Sequence, residues 1–99
     1  MSHVVILTAR AKPDQYETLK ETFTAILPDT VKYDGAIAVH AAFDDEDQSA
    51  VVYEVWQSQA HQQAYLNWRT ETGALEALGA MLREPPDFAV YQRLDFQAD

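Results

Sequence analysis

Three short runs of this chain, "VVIL" at residues 4–7, "AIAV" at 36–39 and "AVV" at 50–52, carry apolar residues on both sides of a strand. A sheet with helices on one face and water on the other alternates apolar and polar residues. These runs do not alternate, so both faces of the sheet they form need cover.

The elements around them supply cover for one face. "HVVILTA" (3–9) is rich in β-branched residues and predicts a first strand. "KPDQYE" (12–17) opens a helix: Pro13 suits a first turn, and Asp14 with Glu17 has capping-box spacing. Tyr16, Leu19, Phe23, Ile26 and Leu27 recur at three- and four-residue steps and share one helical face. Pro28 ends or kinks that helix, and Gly35 closes the turn that follows. "AIAVHAAF" (36–43) and "AVVYEVW" (50–56) are two strands joined by the acidic loop "DDEDQS", a solvated hairpin connection without a calcium-binding pattern. Ser58 caps a helix that reaches about Trp68. Thr72 and Gly73 restart a helix with Leu75, Leu78 and Leu82 inward. "REPPD" breaks the chain before a last strand, "FAVYQRLDF" (88–96).

The order β-α-β-β-α-β, with its second helix in two pieces, predicts a single α+β domain over residues 1–99: a ferredoxin-like subunit with an antiparallel sheet. Its helices cover one face only. A second copy of the same sheet is the simplest cover for the other, which predicts a homodimer joined through sheet faces. The alternative, a monomer that exposes an apolar sheet, is physically poor.

Composition narrows the partners. Sixteen acidic residues against seven Lys and Arg give a formal charge of −9, a field that repels nucleic acid and anionic lipid. Without cysteine there are no disulfides, thiolate nucleophiles or Cys-ligated zinc. No window reaches the roughly 18 apolar residues of a membrane span, and "MSHVVILTAR" lacks a basic leader and a small-residue cleavage site. A cytoplasmic location is the expectation.

Strand alternation puts Ala36, Ala38, His40 and Ala42 on one face of the second strand and Ile37, Val39 and Phe43 on the other. His40, amid alanines, is either a hydrogen-bonded core histidine or a general base in a pocket. Glu54 and Arg93 interrupt apolar strands and need partners. Each can be the other's, as a structural ion pair or as a substrate clamp, with Arg10 joining them or exposed. On the helix after Trp56, a core residue, His61, Tyr65 and Trp68 form an aromatic stripe that either packs the core or walls a pocket. Asn67 points elsewhere, to solvent. The chain has no G-x-S-x-G, P-loop or G-x-G-x-x-G. His3, His40 and His61 lack paired-ligand spacing, so no metal site is expected.

A strand ending "VVYEVWQS", a helix "QAHQQAYLNW", a broken second helix and a terminal "FAVYQRLD" together resemble the antibiotic biosynthesis monooxygenase (ABM) domains. The resemblance spans nearly the whole chain, with Gly35 where that family turns into its second strand. It implies a dimeric α+β barrel with a pocket between helices and sheet. It also implies oxidation of a small phenol or hydroquinone by O2 without flavin or metal. Such a reaction needs a base, a donor for the oxyanion and aromatic walls, roles open to His40, Tyr65, Trp68 and Arg93, with His61 and Glu54 beside the substrate. Many members carry His-Leu where this chain has Tyr65-Leu66. The polyketide-oxidising members pair an Asn with a Trp one turn later; Trp68 corresponds to that Trp, and Ala64 stands at the Asn position. The related haem-degrading branch needs an axial His that "ETGALEALGAML" lacks, so haem is not expected. The alternatives are a non-catalytic ligand-binding or stress-related dimer, or an isomerase or lactonase on the same scaffold.

Overall fold

A computed structural model of the chain describes residues 2–94. In order they form strand β1 (His3–Arg10), helix α1 (Tyr16–Lys32), strands β2 (Ala36–Asp44) and β3 (Ser49–Trp56), helices α2 (Gln59–Glu71) and α3 (Ala74–Ala80), and strand β4 (Asp87–Gln92). The four strands make one antiparallel sheet in the order β2-β3-β1-β4, the ferredoxin-like α+β arrangement expected from the element order. The last strand is shorter than the sequence predicts. It stops at Gln92, and residues 95 and 96 of the expected run lie outside the described residues.

Register assigns the faces. Val5 pairs with Glu54, Leu7 with Val52 and Ala9 with Ala50, and these alternate residues look toward the helices. There Leu7, Ala9, Val52 and Ala50 join Tyr16, Leu19 and Phe23 of α1 and Leu78, Met81 and Leu82 in the main core. Val5, Trp56 and Tyr65 form a second cluster near α2, with Trp56 fully buried. The opposite face carries Ile6, Tyr53, Val51, Tyr91 and, from β2, Ala38, His40 and Ala42. Val51 and Tyr91 are exposed there.

The alanine face of β2 is not continuous. The register shifts between Ala36, opposite Trp56, and Ala38, opposite Val55, so a bulge at Ile37 separates them. One extra residue reverses the in–out parity of everything before it. Ala36 therefore packs against the Trp56 cluster, while Ala38, His40 and Ala42 stand on the face away from the helices.

Three further local details depart from expectation. The Asp14–Glu17 capping box does not form: α1 begins after Gln15, which makes no side-chain cap, and residues 12–15 form a turn closed by Gln15 N–H donating to the Lys12 carbonyl. Pro28 does not end α1, which continues to Lys32. The acidic hairpin loop is tethered as well as solvated. Tyr16 Oη donates to Asp45 at 2.5 Å, Arg83 donates to Asp47 at 2.8 Å, and the Asp44 carboxylate accepts from the backbone N–H groups of Glu46 and Asp47.

Candidate functional site

The sheet's helix-facing side does not close against α1, α2 and α3. A cavity of about 180 Å³ remains, walled by Leu7, Val52, Phe23, Ile26, Leu75 and Leu78, with Phe88 of β4 beside it. That is smaller than the roughly 300–1,000 Å³ of a drug-sized site. It suits a ligand of one or two rings.

Four polar side chains break its apolar wall: Thr22, whose hydroxyl donates back to the Thr18 carbonyl, and Glu54, Tyr65 and Arg69. Glu54 projects from the middle of β3 and is 7% exposed. Its Oε1 accepts from Trp56 Nε1 at 3.1 Å. Burial pushes its carboxyl up from the usual carboxylate range; the indole hydrogen bond and the Arg69 charge pull the other way without cancelling it.

Arg69 is held in place by α1. Its Nε donates to Tyr65 Oη at 2.9 Å, and one terminal nitrogen donates to Thr30 Oγ1 at 3.1 Å and to the Ile26 carbonyl at 3.0 Å. Thr30 Oγ1 and Tyr65 Oη are 2.7 Å apart. The guanidinium lies 4.5 Å from the Trp68 ring centroid, a cation–π distance. Trp68 in turn stacks on Tyr33 at 5.2 Å. A buried charge this fully bonded is a fixed part of the wall.

The expected site residues divide between the two faces of the sheet. Glu54 and Tyr65 meet in the cavity, and Trp68 supports Arg69 from behind. His61 does not reach the cavity. It sits at the start of α2, where the Ser58 side chain accepts from His61 N–H at 3.2 Å and bonds His61 Nδ1 at 2.7 Å. Its Nε2 is 3.9 Å from Asp34. His40 is exposed on the opposite face, its ring 6.4 Å from that of Tyr53. Arg93 follows β4 on that same side, by a shallow groove with Val4, Ile6, Tyr53 and Tyr91.

The Glu54–Arg93 pair is therefore corrected. The two side chains belong to opposite faces, because Glu54 shares its face with Val5, whereas the backbone of Arg93 bonds Ser2 beyond the Val4–Tyr91 pair. The cation that faces Glu54 is Arg69. Arg10 pairs with Glu84 at the surface, at 3.2 Å. Sequence reasoning passed over Arg69 and Thr30. Arg69 was detectable as the residue four after Tyr65 on the inward stripe of α2; Thr30, beyond Pro28, carried no such signal.

Among the described residues, no group of three or more His, Asp or Glu side chains is placed to hold a metal ion, and no helix is long and apolar enough to cross a membrane.

A conserved protein from Methanosarcina mazei Go1 superimposes with a TM-score of 0.84 at 14% identity, over 95% of this chain and 94% of that one. A crystal structure described as antibiotic biosynthesis monooxygenase gives 0.82 at 16% identity, over 94% and 99%. The Rv0793 protein from Mycobacterium tuberculosis gives 0.77 at 21% identity, over 99% and 100%. These likenesses establish the fold. No curated protein matches the chain. The sequence model of the antibiotic biosynthesis monooxygenase family matches residues 2–79, which include β1 through most of α3 and every polar residue of the cavity. The chain belongs to the antibiotic biosynthesis monooxygenase family.

Proposed function

We propose that the protein is a cofactor-independent monooxygenase that oxidises a small phenol, naphthol or hydroquinone-type aromatic with O2 in the helix-side cavity. The observation that carries this reading is a buried carboxyl with a raised pKa, Glu54, in an apolar cavity that also holds Tyr65 and the fixed cation Arg69. A carboxylate is a weak base toward a phenol. Burial strengthens Glu54 as a base, and the Arg69 charge and Tyr65 favour the phenolate it would create. In this reading Glu54 takes the base role that the sequence offered to His40, and Trp68 acts by holding Arg69.

The phenolate then supplies electrons to O2 directly. For a naphthol, the ring C–H opposite the hydroxyl is replaced by C=O from one oxygen atom. The other oxygen leaves as water with the hydroxyl and ring hydrogens. The ring loses four electrons and O2 gains four. The apolar wall limits the access of water to the intermediate.

The working unit in this proposal is one domain that pairs through its open sheet face into a homodimer, acting on a small aromatic in the cytoplasm. Exposed Val51 and Tyr91 on that face support the pairing. Oxygen consumption by metal-free protein with a panel of naphthols and hydroquinones, against heat-killed protein, tests the reaction. Uptake with one quinone formed per O2 from a naphthol is expected. No protein-dependent uptake across the panel contradicts it.

A further inference from the structure

Counting hydroxyl hydrogens around Arg69 gives Tyr65 a definite role. Tyr65 Oη and Thr30 Oγ1 each accept from the Arg69 guanidinium, and they bond each other. Two hydroxyl groups bring two hydrogens, and one of these fills the bond between them. The other must point elsewhere. On Thr30, which is fully buried and does not line the cavity, that hydrogen would lack an acceptor even with a ligand bound, an expensive arrangement. With Thr30 donating to Tyr65, the spare hydrogen belongs to the tyrosine, which lines the cavity. Its phenol then accepts two hydrogen bonds, one from a cation, and both make it a stronger donor.

Glu54 lines the same cavity and is tied to this group through Trp56, whose ring lies 5.0 Å from that of Tyr65 and whose Nε1 bonds the carboxylate. A fixed oxyanion donor and a desolvated carboxylate in one apolar chamber are the two groups that removal of a proton beside a carbonyl requires. We propose that this cavity is a carbon-acid site: Tyr65 donates to the carbonyl oxygen of a bound one- or two-ring ketone, and Glu54 takes a proton from the adjacent carbon. The C–H bond breaks, its electron pair forms the enolate C=C, and the negative charge settles on the oxygen held by Tyr65. Return of the proton to the same carbon gives exchange; return to a conjugated carbon gives a shifted double bond. No oxidant enters. The inference rests on the cavity and base of the reading above, but not on O2.

The test is deuterium incorporation into 2-tetralone by metal-free protein in anaerobic D2O, followed by proton NMR, with binding followed by tryptophan fluorescence. Exchange at the carbon between ring and carbonyl should run well above the buffer rate. Glu54→Gln should lower it by about 10²-fold or more, and Tyr65→Phe by a comparable factor. Glu54→Asp, which keeps the carboxylate, should retain part of it. Near-UV circular dichroism shows which variants keep the fold. Failure of 2-tetralone to bind, exchange at the buffer rate, or exchange indifferent to Glu54→Gln and Tyr65→Phe in folded protein would each overturn the proposal. Oxygen uptake with 1-naphthol, measured on the same preparation, separates the two readings. Uptake without exchange overturns only this one, and exchange without uptake overturns only the oxygenase.

Discussion

Glu54 is a carboxyl buried among apolar side chains, held by one indole hydrogen bond and facing one guanidinium. Its ionisation is disfavoured in the folded chain, so the folded state binds its proton more tightly than the unfolded state. That contribution to stability is fully present below the unfolded glutamate pKa and is lost as pH rises through the raised folded value. Replacing Glu54 with Gln removes the dependence. Urea unfolding at pH 4.5 and at pH 8 should therefore show the variant gaining on the native chain as pH rises; a difference unchanged with pH would contradict the burial argument. Activity should move the opposite way, rising as pH climbs through the raised pKa and frees the base. Thr30 is a second pressure point. Thr30→Val keeps the shape but leaves Tyr65 and Arg69 short of a partner, at a cost of about 1–3 kcal/mol by denaturant unfolding. Combined with Tyr65→Phe, its cost should be less than the sum of the two, because both remove the same bond.

At the scale of elements, the start of α2 shows why one glycine is needed. Gly35 has φ +88°, and a Cβ there would run into the His61 ring. His61 is fixed in turn by Ser58 at the helix start. Gly35→Ala should cost about 1–3 kcal/mol from backbone strain alone, with the clash in addition. Adding His61→Gly, which removes both the ring and the Cβ that stand in the way, should recover the clash but not the strain, apart from the cost of about 1 kcal/mol for a glycine in a helix; a double variant no more stable than the sum of the two single ones would show that His61 is not the obstacle. The elements themselves were legible in the sequence, because apolar spacing follows the helical and strand periods directly. Ser58 at its cap and Trp56 in the core follow from that spacing. Parity across a bulge was not legible: strict alternation carried Ala36 onto the face of His40, and a single extra residue at Ile37 separated them. The Glu54–Arg93 pairing failed for a related reason, since two charges in apolar strands reveal that each needs a partner but not which face each occupies. The pocket was read from the alanines of β2, whereas the ionisable wall of the cavity is built by β3 and α2, with Arg69 bonded from behind by the buried Thr30 of α1.

At the scale of the whole molecule, the two faces of the sheet differ in character. The helix side encloses Glu54, Tyr65 and Arg69; the other side presents Ile6, Val51, Tyr53, Tyr91 and His40. Pairing through that second face predicts a dimer in sedimentation velocity, and a shift toward monomer when Ile6 and Val51 are both changed to Lys, which sets four charges into the interface of each pair. A native chain that sediments as a monomer at micromolar concentration would contradict the pairing. In the proposed mechanism, chemistry belongs to the helix side and not to His40. Oxygen uptake with 1-naphthol, measured side by side for the native protein, Glu54→Gln and His40→Ala, tests it most directly. Uptake should persist in His40→Ala and fall by about 10²-fold or more in Glu54→Gln. Loss in His40→Ala with full activity in folded Glu54→Gln would contradict the account.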